Sequence, residues 1–334
     1  MGRKLGMGVI GLGLIGSLHA RIISELTDAS LVAVTDIDEV LARKTADQYN
    51  CDYYTSYKEM LKRTDIEAVS ICVPEEHHVK PAIATAFAKK DILIEKPIAK
   101  TYKEAAIIKE AADRAGVRLM VAHVLRFDPR YQQLYESISK GEIGEPVHLS
   151  LKRTNPSTSA KRLKGRVSIL YFLGVHDIDL MLWYAGSNVK RVYAQKVSKV
   201  NSDVDSEDAI MAILTFENGA IGCLELSWAL PDNPALGIVT SAEVVGTKGV
   251  GYVDIREQGL SIFTKRDVLF PDTLHWPEIN GRVFGSLKEE IAHFVEATIS
   301  GSDYIVPTES VMYAVKIIEA CLKSINTGIP IEVS

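Results

Sequence analysis

The sequence predicts a two-domain protein, with an α/β domain over residues 1–124 followed by an α+β domain over residues 125–334. The chain has 334 residues, which exceeds the size at which one hydrophobic core usually keeps growing. Short apolar runs alternate with helical patterns in the first third, whereas longer strand patterns with hairpin signals dominate the remainder. Apolar residues make up 47% of the chain, which is enough to fill two cores.

The first third alternates strand and helix patterns. Apolar runs predict strands at 7–10, 31–35, 68–73, 91–95 and 118–122. The segments between and after them predict helices near 17–26, 39–49, 57–63, 79–89 and 102–115. Such alternation is typical of a parallel sheet that is covered by helices on both faces.

The pattern changes after about residue 125, and the domain boundary is expected within residues 123–129. Strands are predicted at 147–154, 190–199, 207–216, 219–230, 240–246, 250–254 and 259–264, and helices near 129–141, 176–185, 284–300 and 308–326. Turn residues at Asn218-Gly219 and Lys248-Gly249 predict hairpins. Strands in meander order indicate an open, mostly antiparallel sheet.

Composition argues against several classes of protein. The net charge of −5 and the pI near 6.0 provide no general attraction to nucleic acid or to anionic membrane. The apolar stretch at residues 5–16 contains five glycines and is too short to span a bilayer. The four cysteines lie far apart, so they predict neither disulfides nor a zinc cluster but reduced thiols in the cytoplasm.

A dinucleotide fingerprint follows the first predicted strand. In Gly11-Leu12-Gly13-Leu14-Ile15-Gly16, the glycines would permit a tight turn, close approach of a pyrophosphate, and packing of helix on strand. Asp36 follows twenty residues later, beside Ile37, where a carboxylate holds the ribose hydroxyls. The first domain is therefore predicted to be a Rossmann domain. NAD is expected in preference to NADP, because Asp36 would repel a 2′-phosphate.

Further motifs make the sequence resemble a known family. Glu95-Lys96-Pro97 ends a predicted strand, Val73–His78 contains a Pro-x-x-x-His turn, and Arg126-Phe127-Asp128-Pro129 lies at the domain crossover. Gly144-Glu145-Pro146 precedes the second sheet, and Gly174–Asp179 with Trp183 is similar to a histidine helix. Together these motifs resemble the glucose–fructose oxidoreductase, inositol dehydrogenase and rhizopine-catabolism (Gfo/Idh/MocA) family.

The resemblance implies an NAD(P)-dependent dehydrogenase or reductase for sugars, cyclitols or nucleotide-linked sugars. It implies that Lys96 acts in proton transfer, that His176 faces it from the second domain, and that the Lys96–Pro97 bond is often cis. The cofactor-binding residues are predicted to be Gly11, Gly13, Leu14, Ile15, Gly16, Asp36, Ile37, Pro74, His78, Glu95 and Lys96. The substrate-binding residues are predicted to be Lys96, Arg126, Asn155, Arg162, Phe172 and His176.

The sequence departs from the family pattern at Phe172. Family members often carry an aspartate at this position, four residues before the histidine and one helical turn away. Asp177 and Asp179 cannot replace it, because their spacing from His176 points them elsewhere. No metal site is expected around His176, since no cysteine or second histidine lies at helical spacing from it.

The expected function is hydride transfer between NAD and a secondary alcohol of a sugar or cyclitol, in an inositol-dehydrogenase-like enzyme. One alternative is a sugar-nucleotide 3-dehydrogenase, because the basic segment 161–166, with Arg153 upstream, could hold a phosphate group. Another is a non-catalytic dinucleotide sensor or regulator, which Phe172 favours. A homodimer or homotetramer is expected, since the exposed face of the second sheet must be covered.

Overall fold

The computed structural model describes residues 3–232, 238–255, 259–265 and 268–333, which divide into two compact units. The first unit comprises Met1–Val124 and His275–Met312, and the second comprises Leu125–Leu274 and Tyr313–Ser334. The break after Val124 lies where the sequence places a boundary. The segment 275–312, however, belongs to the first unit, although the sequence analysis assigned it to the second domain.

The first unit contains a six-stranded sheet with helices between the strands. Its elements before the break are β1 (Leu5–Ile10), α1 (Leu14–Glu25), β2 (Ala29–Thr35), α2 (Glu39–Tyr49), β3 (Asp52–Tyr54), α3 (Tyr57–Met60), β4 (Ala68–Ile71), α4 (Val79–Phe87), β5 (Asp91–Glu95), α5 (Tyr102–Ala115) and β6 (Leu119–Ala122).

All strand pairs of this sheet are parallel, in the order β3-β2-β1-β4-β5-β6. The order reverses between β1 and β4, which is where ligands bind in a doubly wound sheet. Every residue of β1 and β4 is buried, as expected for strands covered on both faces. The Asp38 side chain caps α2, and Gly116 ends α5 in the left-handed conformation.

The second unit contains a seven-stranded sheet and several helices. Its elements before residue 275 are α6 (Pro129–Ser139), β7 (Pro146–Pro156), α7 (Ser157–Leu163), α8 (Val175–Ala185), β8 (Val189–Val197), β9 (Ala209–Phe216), β10 (Ile221–Leu230), β11 (Val239–Gly246), β12 (Val250–Asp254), β13 (Ile262–Phe263) and β14 (Val268–Leu269). The remaining elements of the chain are β15 (Glu278–Ile279), β16 (Arg282–Val283), α9 (Ser286–Ser300), α10 (Thr308–Thr327) and β17 (Ile331–Glu332).

The second sheet has the order β12-β11-β7-β10-β9-β8-β17 and is mostly antiparallel. The expected meander is wrong in one respect, because β7 lies between β10 and β11 and pairs with β10 in parallel. Residues alternate along β9 and β10, so that Ile210, Leu214 and Leu226 are buried on one face. The opposite face exposes Met211 and Ile213.

Local differences from the sequence prediction have identifiable causes. The strand β3 escaped prediction because it has only three residues, and of the predicted strand 259–264 only Ile262–Phe263 is extended. The basic segment 161–166 begins inside α7, which ends at Leu163. The hairpin turns at Gly219 and Lys248 are confirmed. No helix in the described ranges is both long and apolar enough to cross a membrane.

Candidate functional site

The glycine turn between β1 and α1 has the geometry that the fingerprint predicts. Gly11 has φ of 89°, and a Cβ there would lie 2.9 Å from the backbone of Cys72. A Cβ on Gly16 would lie 1.9 Å from the Gly11 carbonyl oxygen, so the helix could not approach the turn. A Cβ on Gly13 would meet nothing within 4 Å, which leaves open space at the N-terminus of α1. This open cradle fits a pyrophosphate group.

Asp36 lies at the end of β2 and is tied to the glycine turn. Its Oδ2 accepts the backbone N–H of Leu12 at 2.7 Å, and its Oδ1 accepts that of Asp38 at 2.9 Å. Each carboxylate oxygen has a second lone pair for a ribose hydroxyl. Leu14 is 66% exposed and Ile37 is 96% exposed, while Ile15 is half-buried. Apolar surface is therefore available beside the carboxylate, as an adenine ring requires.

Lys96 follows the last residue of β5, at the carboxyl end of the parallel sheet. It is half-buried, its backbone N–H donates to Glu95 Oε2 at 3.0 Å, and the Lys96–Pro97 bond is cis, as the resemblance implies. In a doubly wound sheet this edge is where ligands bind. The structure therefore brings Lys96 to the same sheet edge as the glycine turn.

His78 lies behind the turn rather than at its surface. Its ring is 1% exposed, with Nε2 2.8 Å from the Val73 carbonyl oxygen and Nδ1 3.1 Å from that of Ile98. Pro74, in contrast, is exposed. Burial lowers the pKa of His78. The predicted cofactor contact of His78 stays a prediction. In this geometry the ring lies between the segments that follow β4 and β5 and contacts the backbone of both.

A buried polar cluster lies next to Lys96 in the first unit. It consists of His19 on α1, Glu95 at the end of β5, and Glu290 on α9. A ring nitrogen of His19 and one carboxyl oxygen of each glutamate all lie within 4.8 Å of one another. His19 Nε2 lies 3.4 Å from Glu95 Oε1. Glu95 was predicted to lie at the cofactor site, whereas no motif in the sequence singled out His19 or Glu290.

In the second unit, the histidine helix carries two aspartates that are already paired. His176 is half-buried in the first turn of α8. Asp177 accepts from Arg153 at 2.8 and 3.0 Å, and Asp179 accepts from Arg126 at 2.9 and 2.7 Å. Both carboxylates are therefore paired with arginines, and the expectation that neither aspartate replaces the missing carboxylate stays a prediction. Because Arg153 is buried and paired with Asp177, it does not add to the exposed positive charge of the segment 161–166.

Arg126, predicted to bind substrate, has a buried and ion-paired side chain. Its side chain is 3% exposed, forms a two-pronged ion pair with Asp179, and stacks 4.9 Å from the Trp183 ring. Such a planar pairing uses much of the donor capacity of a guanidinium group. The predicted substrate contact is not tested by this geometry, but the ion pair gives Arg126 a sufficient role without substrate.

Phe172 lies in a π-helical segment, Leu170–Gly174, directly before α8. Because a π turn is wider than an α turn, Phe172 and His176 are not related by the regular α-helical spacing that the sequence analysis assumed. The Phe172 ring is half-buried and lies 6.1 Å from that of Trp228. Short π segments occur frequently at functional sites, so the local geometry favours a site role for this segment.

Two further predicted substrate residues lie at the end of β7 and in α7. Asn155 is 6% exposed, and its Oδ1 has no hydrogen-bond partner among the described residues. Arg162 is exposed in the last turn of α7, and Lys164, which ends that helix, is also exposed. A buried, unpaired amide oxygen is costly unless a ligand or water satisfies it. Asn155 therefore fits a hydroxyl-bearing ligand.

Two family models match this chain. One, described as an oxidoreductase family with an NAD-binding Rossmann fold, matches residues 5–123, and the other, described as a GFO/IDH/MocA C-terminal domain, matches residues 131–251.

Individual proteins match over nearly the whole chain. An uncharacterized oxidoreductase, YrbE, of Bacillus subtilis is 29% identical over 100% of this chain and 98% of its own length. A myo-inositol 2-dehydrogenase of Thermotoga maritima is 27% identical, covering 96% of each chain. The crystal structure of GenD2 from gentamicin A biosynthesis, in complex with NAD, has a TM-score of 0.89 at 24% identity and covers 99% of this chain and 97% of its own. The last likeness establishes the fold.

Proposed function

Because this chain belongs to the GFO/IDH/MocA family of NAD-binding oxidoreductases, we propose that it oxidises a secondary alcohol of a cyclitol or sugar, in the manner of an inositol dehydrogenase. The observation that carries the proposal is the position of Lys96 at the carboxyl end of β5, on the same sheet edge as the open cradle at Gly13. The name of the Thermotoga maritima relative supports a cyclitol as the substrate class.

The first unit supplies the dinucleotide-binding residues. The free N–H groups at the start of α1 would bind the pyrophosphate, and Asp36 would bind the ribose hydroxyls and oppose a 2′-phosphate. When bound, NAD supplies a hydride acceptor. The protein residues then have to orient the alcohol and remove its hydroxyl proton.

Lys96 and His176 are our candidates for that proton transfer. An unperturbed lysine has a pKa of about 10.4 and is a poor base at neutral pH, whereas an unperturbed histidine has a pKa of about 6.5. We therefore propose that His176 accepts the proton or orients the hydroxyl, and that Lys96 holds the alcohol oxygen and exchanges a proton with it. The Phe172 ring and the unpaired Oδ1 of Asn155 would contact an apolar and a hydroxyl-bearing part of the substrate.

A panel of substrates tests the function directly. The protein should reduce NAD in the presence of at least one of myo-inositol, scyllo-inositol or a pyranose sugar, which is followed by the absorbance of the reduced cofactor. NADP should be used less well. Absence of turnover with every cyclitol and sugar, free or linked to a nucleotide, and with either cofactor would contradict the proposal and favour the dinucleotide sensor.

A sugar-nucleotide 3-dehydrogenase is the second candidate, and the exposed basic end of α7 favours it. Arg162 and Lys164 both face solvent, where they could bind a diphosphate. Competition by a nucleoside diphosphate against the active substrate distinguishes this candidate from a free-cyclitol enzyme. A neutral cyclitol as the best substrate, with no such competition, would leave α7 without a role in binding.

We further propose that the protein forms a homodimer or homotetramer in the cytoplasm. The face of the second sheet that points away from its core exposes Met211 by 59%, Ile213 by 45% and Tyr252 by 68%, and apolar area of this kind marks interaction surfaces. All four cysteines are free thiols, which suits a reducing compartment. Light scattering should give the mass of an oligomer, and Ile213→Lys should shift it toward the monomer.

A further inference from the structure

The side chains of His19, Glu95 and Glu290 form an enclosed cluster in the first unit. The side chains of His19 and Glu290 are fully buried, and that of Glu95 is 15% exposed. His19 Nδ1 lies 2.8 Å from Ser70 Oγ, which in turn lies 3.3 Å from Cys72 Sγ. One ring nitrogen of His19 is thus oriented by β4 while the other faces Glu95.

Glu95 and Glu290 differ sharply in their partners. Glu95 faces His19 at 3.4 Å and accepts the Lys96 backbone N–H at 3.0 Å. Neither carboxyl oxygen of Glu290 has a hydrogen-bond partner among the described residues. An ionised carboxylate in such surroundings would be very costly, because burial removes its hydration without replacing it. Glu290 is therefore better accommodated as a neutral acid.

The local electrostatics agree with this assignment. Burial raises the pKa of Glu290 well above its usual range, and the neighbouring Glu95 raises it further. Burial also opposes the ionised form of Glu95, but His19 and Lys96 outweigh it and lower the pKa of Glu95. Burial likewise opposes the charged form of His19, but Cys72 and Glu95 raise its pKa well above the usual value. These directions favour a protonated Glu290 and a protonated His19.

We propose that His19, Glu95 and Glu290 form a buried, electrically neutral cluster behind Lys96, in which Glu290 is a positioning residue that keeps its proton and so keeps the cluster neutral. Imidazolium, carboxylate and carboxylic acid sum to zero charge. If Glu290 lost its proton, the cluster would become negative and would hold Lys96 in its ammonium form. A neutral cluster leaves Lys96 able to exchange a proton with the substrate oxygen, so this inference rests on the proposed function.

The groups that face the cluster come from several elements of the first unit. Glu290 faces Glu95, His19 and Lys96, while Cys72 acts on His19 and His78 lies near Glu95. Two carboxylates and an imidazole can also bind a divalent cation. The positive charge of Lys96 acts on both carboxyl groups and opposes a cation there, so we favour the proton.

The first test needs no turnover, so it remains informative even if no cyclitol is oxidised. Infrared difference spectra of wild type against Glu290→Gln at neutral pH should contain the carbonyl band of a protonated carboxylic acid. The same comparison with Glu289→Gln, an exposed neighbour on α9, should not contain it. Absence of the band from the Glu290 spectrum would overturn the proposal. So would binding of one equivalent of Zn²⁺ or Mn²⁺ by wild type that Glu290→Gln abolishes.

The second test uses the pH dependence of kcat with the active substrate. Glutamine mimics the neutral acid, so Glu290→Gln should retain kcat within about threefold at neutral pH, whereas Glu290→Leu should lose at least about tenfold. Wild-type kcat should decline as Glu290 ionises at higher pH, and Glu290→Gln should lack that decline. A purely structural role would leave the two profiles superimposable, and that result contradicts the proposal.

Discussion

The Asp36 carboxylate accepts the backbone N–H of Leu12 at 2.7 Å, so the acid that we propose to bind the ribose also fixes the glycine turn. Two consequences of losing this side chain can therefore be separated. One is the loss of negative charge at the ribose, and the other is the loss of an anchor for the pyrophosphate cradle.

We expect Asp36→Ser to weaken NAD binding by about tenfold, because the charge and the ribose contact are both lost. The ratio of the affinity for NAD to the affinity for NADP should also decrease. Asp36→Asn is the matched control, since its amide oxygen can still accept from Leu12 while the charge is removed. Fluorescence titration with NADH and NADPH measures both variants. A wild type that binds NADPH more tightly than NADH would contradict this assignment of Asp36.

Lys96→Ala should lower kcat by at least about 10²-fold while leaving the Kd for NADH nearly unchanged, in line with typical general acid–base contributions. His176→Ala should have a smaller effect on kcat or KM. Lys100→Ala is the control, because Lys100 lies in the same segment and pairs with Glu76 at 3.6 Å. A Lys96→Ala enzyme with near wild-type turnover would exclude Lys96 from the chemistry.

Arg126 and Asp179 should behave as a structural pair. Removing one partner of a buried ion pair typically costs about 3–5 kcal/mol, because the other charge is left unpaired. We therefore expect Arg126→Ala and Asp179→Ala each to lower the free energy of unfolding by that order. The double variant Arg126→Met with Asp179→Leu should lose less than the sum. An Arg126→Ala protein of unchanged stability but raised KM would instead support substrate binding by Arg126.

His78→Ala should destabilise the first unit by about 1–3 kcal/mol, since the buried ring and its hydrogen bond to one of the carbonyl groups of Val73 and Ile98 would be lost. The control is the exposed neighbour His77, whose replacement by Ala should leave the free energy of unfolding unchanged.

The effect of His78 should also depend on pH. Burial lowers the pKa of His78 in the folded protein. In the unfolded chain histidine has a pKa of about 6.5, so the unfolded chain binds a proton more readily than the folded one. The contribution of His78 to the free energy of unfolding is therefore complete above about pH 6.5 and is lost as the pH falls toward the folded pKa. Denaturant unfolding of wild type and His78→Ala should therefore converge at acidic pH. A difference that grows on acidification would show that His78 is charged in the folded protein.

Arg162→Ala combined with Lys164→Ala should raise KM for a phosphate-bearing substrate with little change in kcat, because remote binding would be lost uniformly. For a neutral cyclitol KM should remain unchanged. Steady-state kinetics with both substrate classes decide between the two, and an unchanged KM for the best substrate would assign these two side chains to solvent.

The sequence predicted those parts of the molecule whose structure depends on residues that are close together in the chain. The glycine turn is one example, because its glycines are close in sequence and a Cβ on Gly16 would collide with the Gly11 carbonyl in the same turn. The strands and helices of the first unit are another, since their apolar periodicity is strong. Lys96 was identified from a motif, and its position at the sheet edge agrees with the strand that precedes it.

What escaped prediction depends on contacts between distant segments. The partner of His19 is Glu95, and Glu290 joins them from a helix nearly 200 residues further along. One signal was present, because Glu290 shares the apolar face of α9 with Leu287, Ile291 and Phe294 at helical spacing. The pairing of Arg126 with Asp179 and the π segment before α8 likewise depend on packing that periodicity does not encode.

The assignment of His275–Met312 to the first unit also bears on how the chain folds as it is synthesised. Domains usually fold as units, the N-terminal one first. Here the first unit cannot complete its core until α9 has left the ribosome, because Glu290 and the apolar face of that helix are missing from the emerging Rossmann segment. The N-terminal part of the first unit therefore stays incomplete while residues 125–274 are synthesised. Closing so long a loop is a late step, so a nascent chain arrested before α9 should remain open to proteases and chaperones.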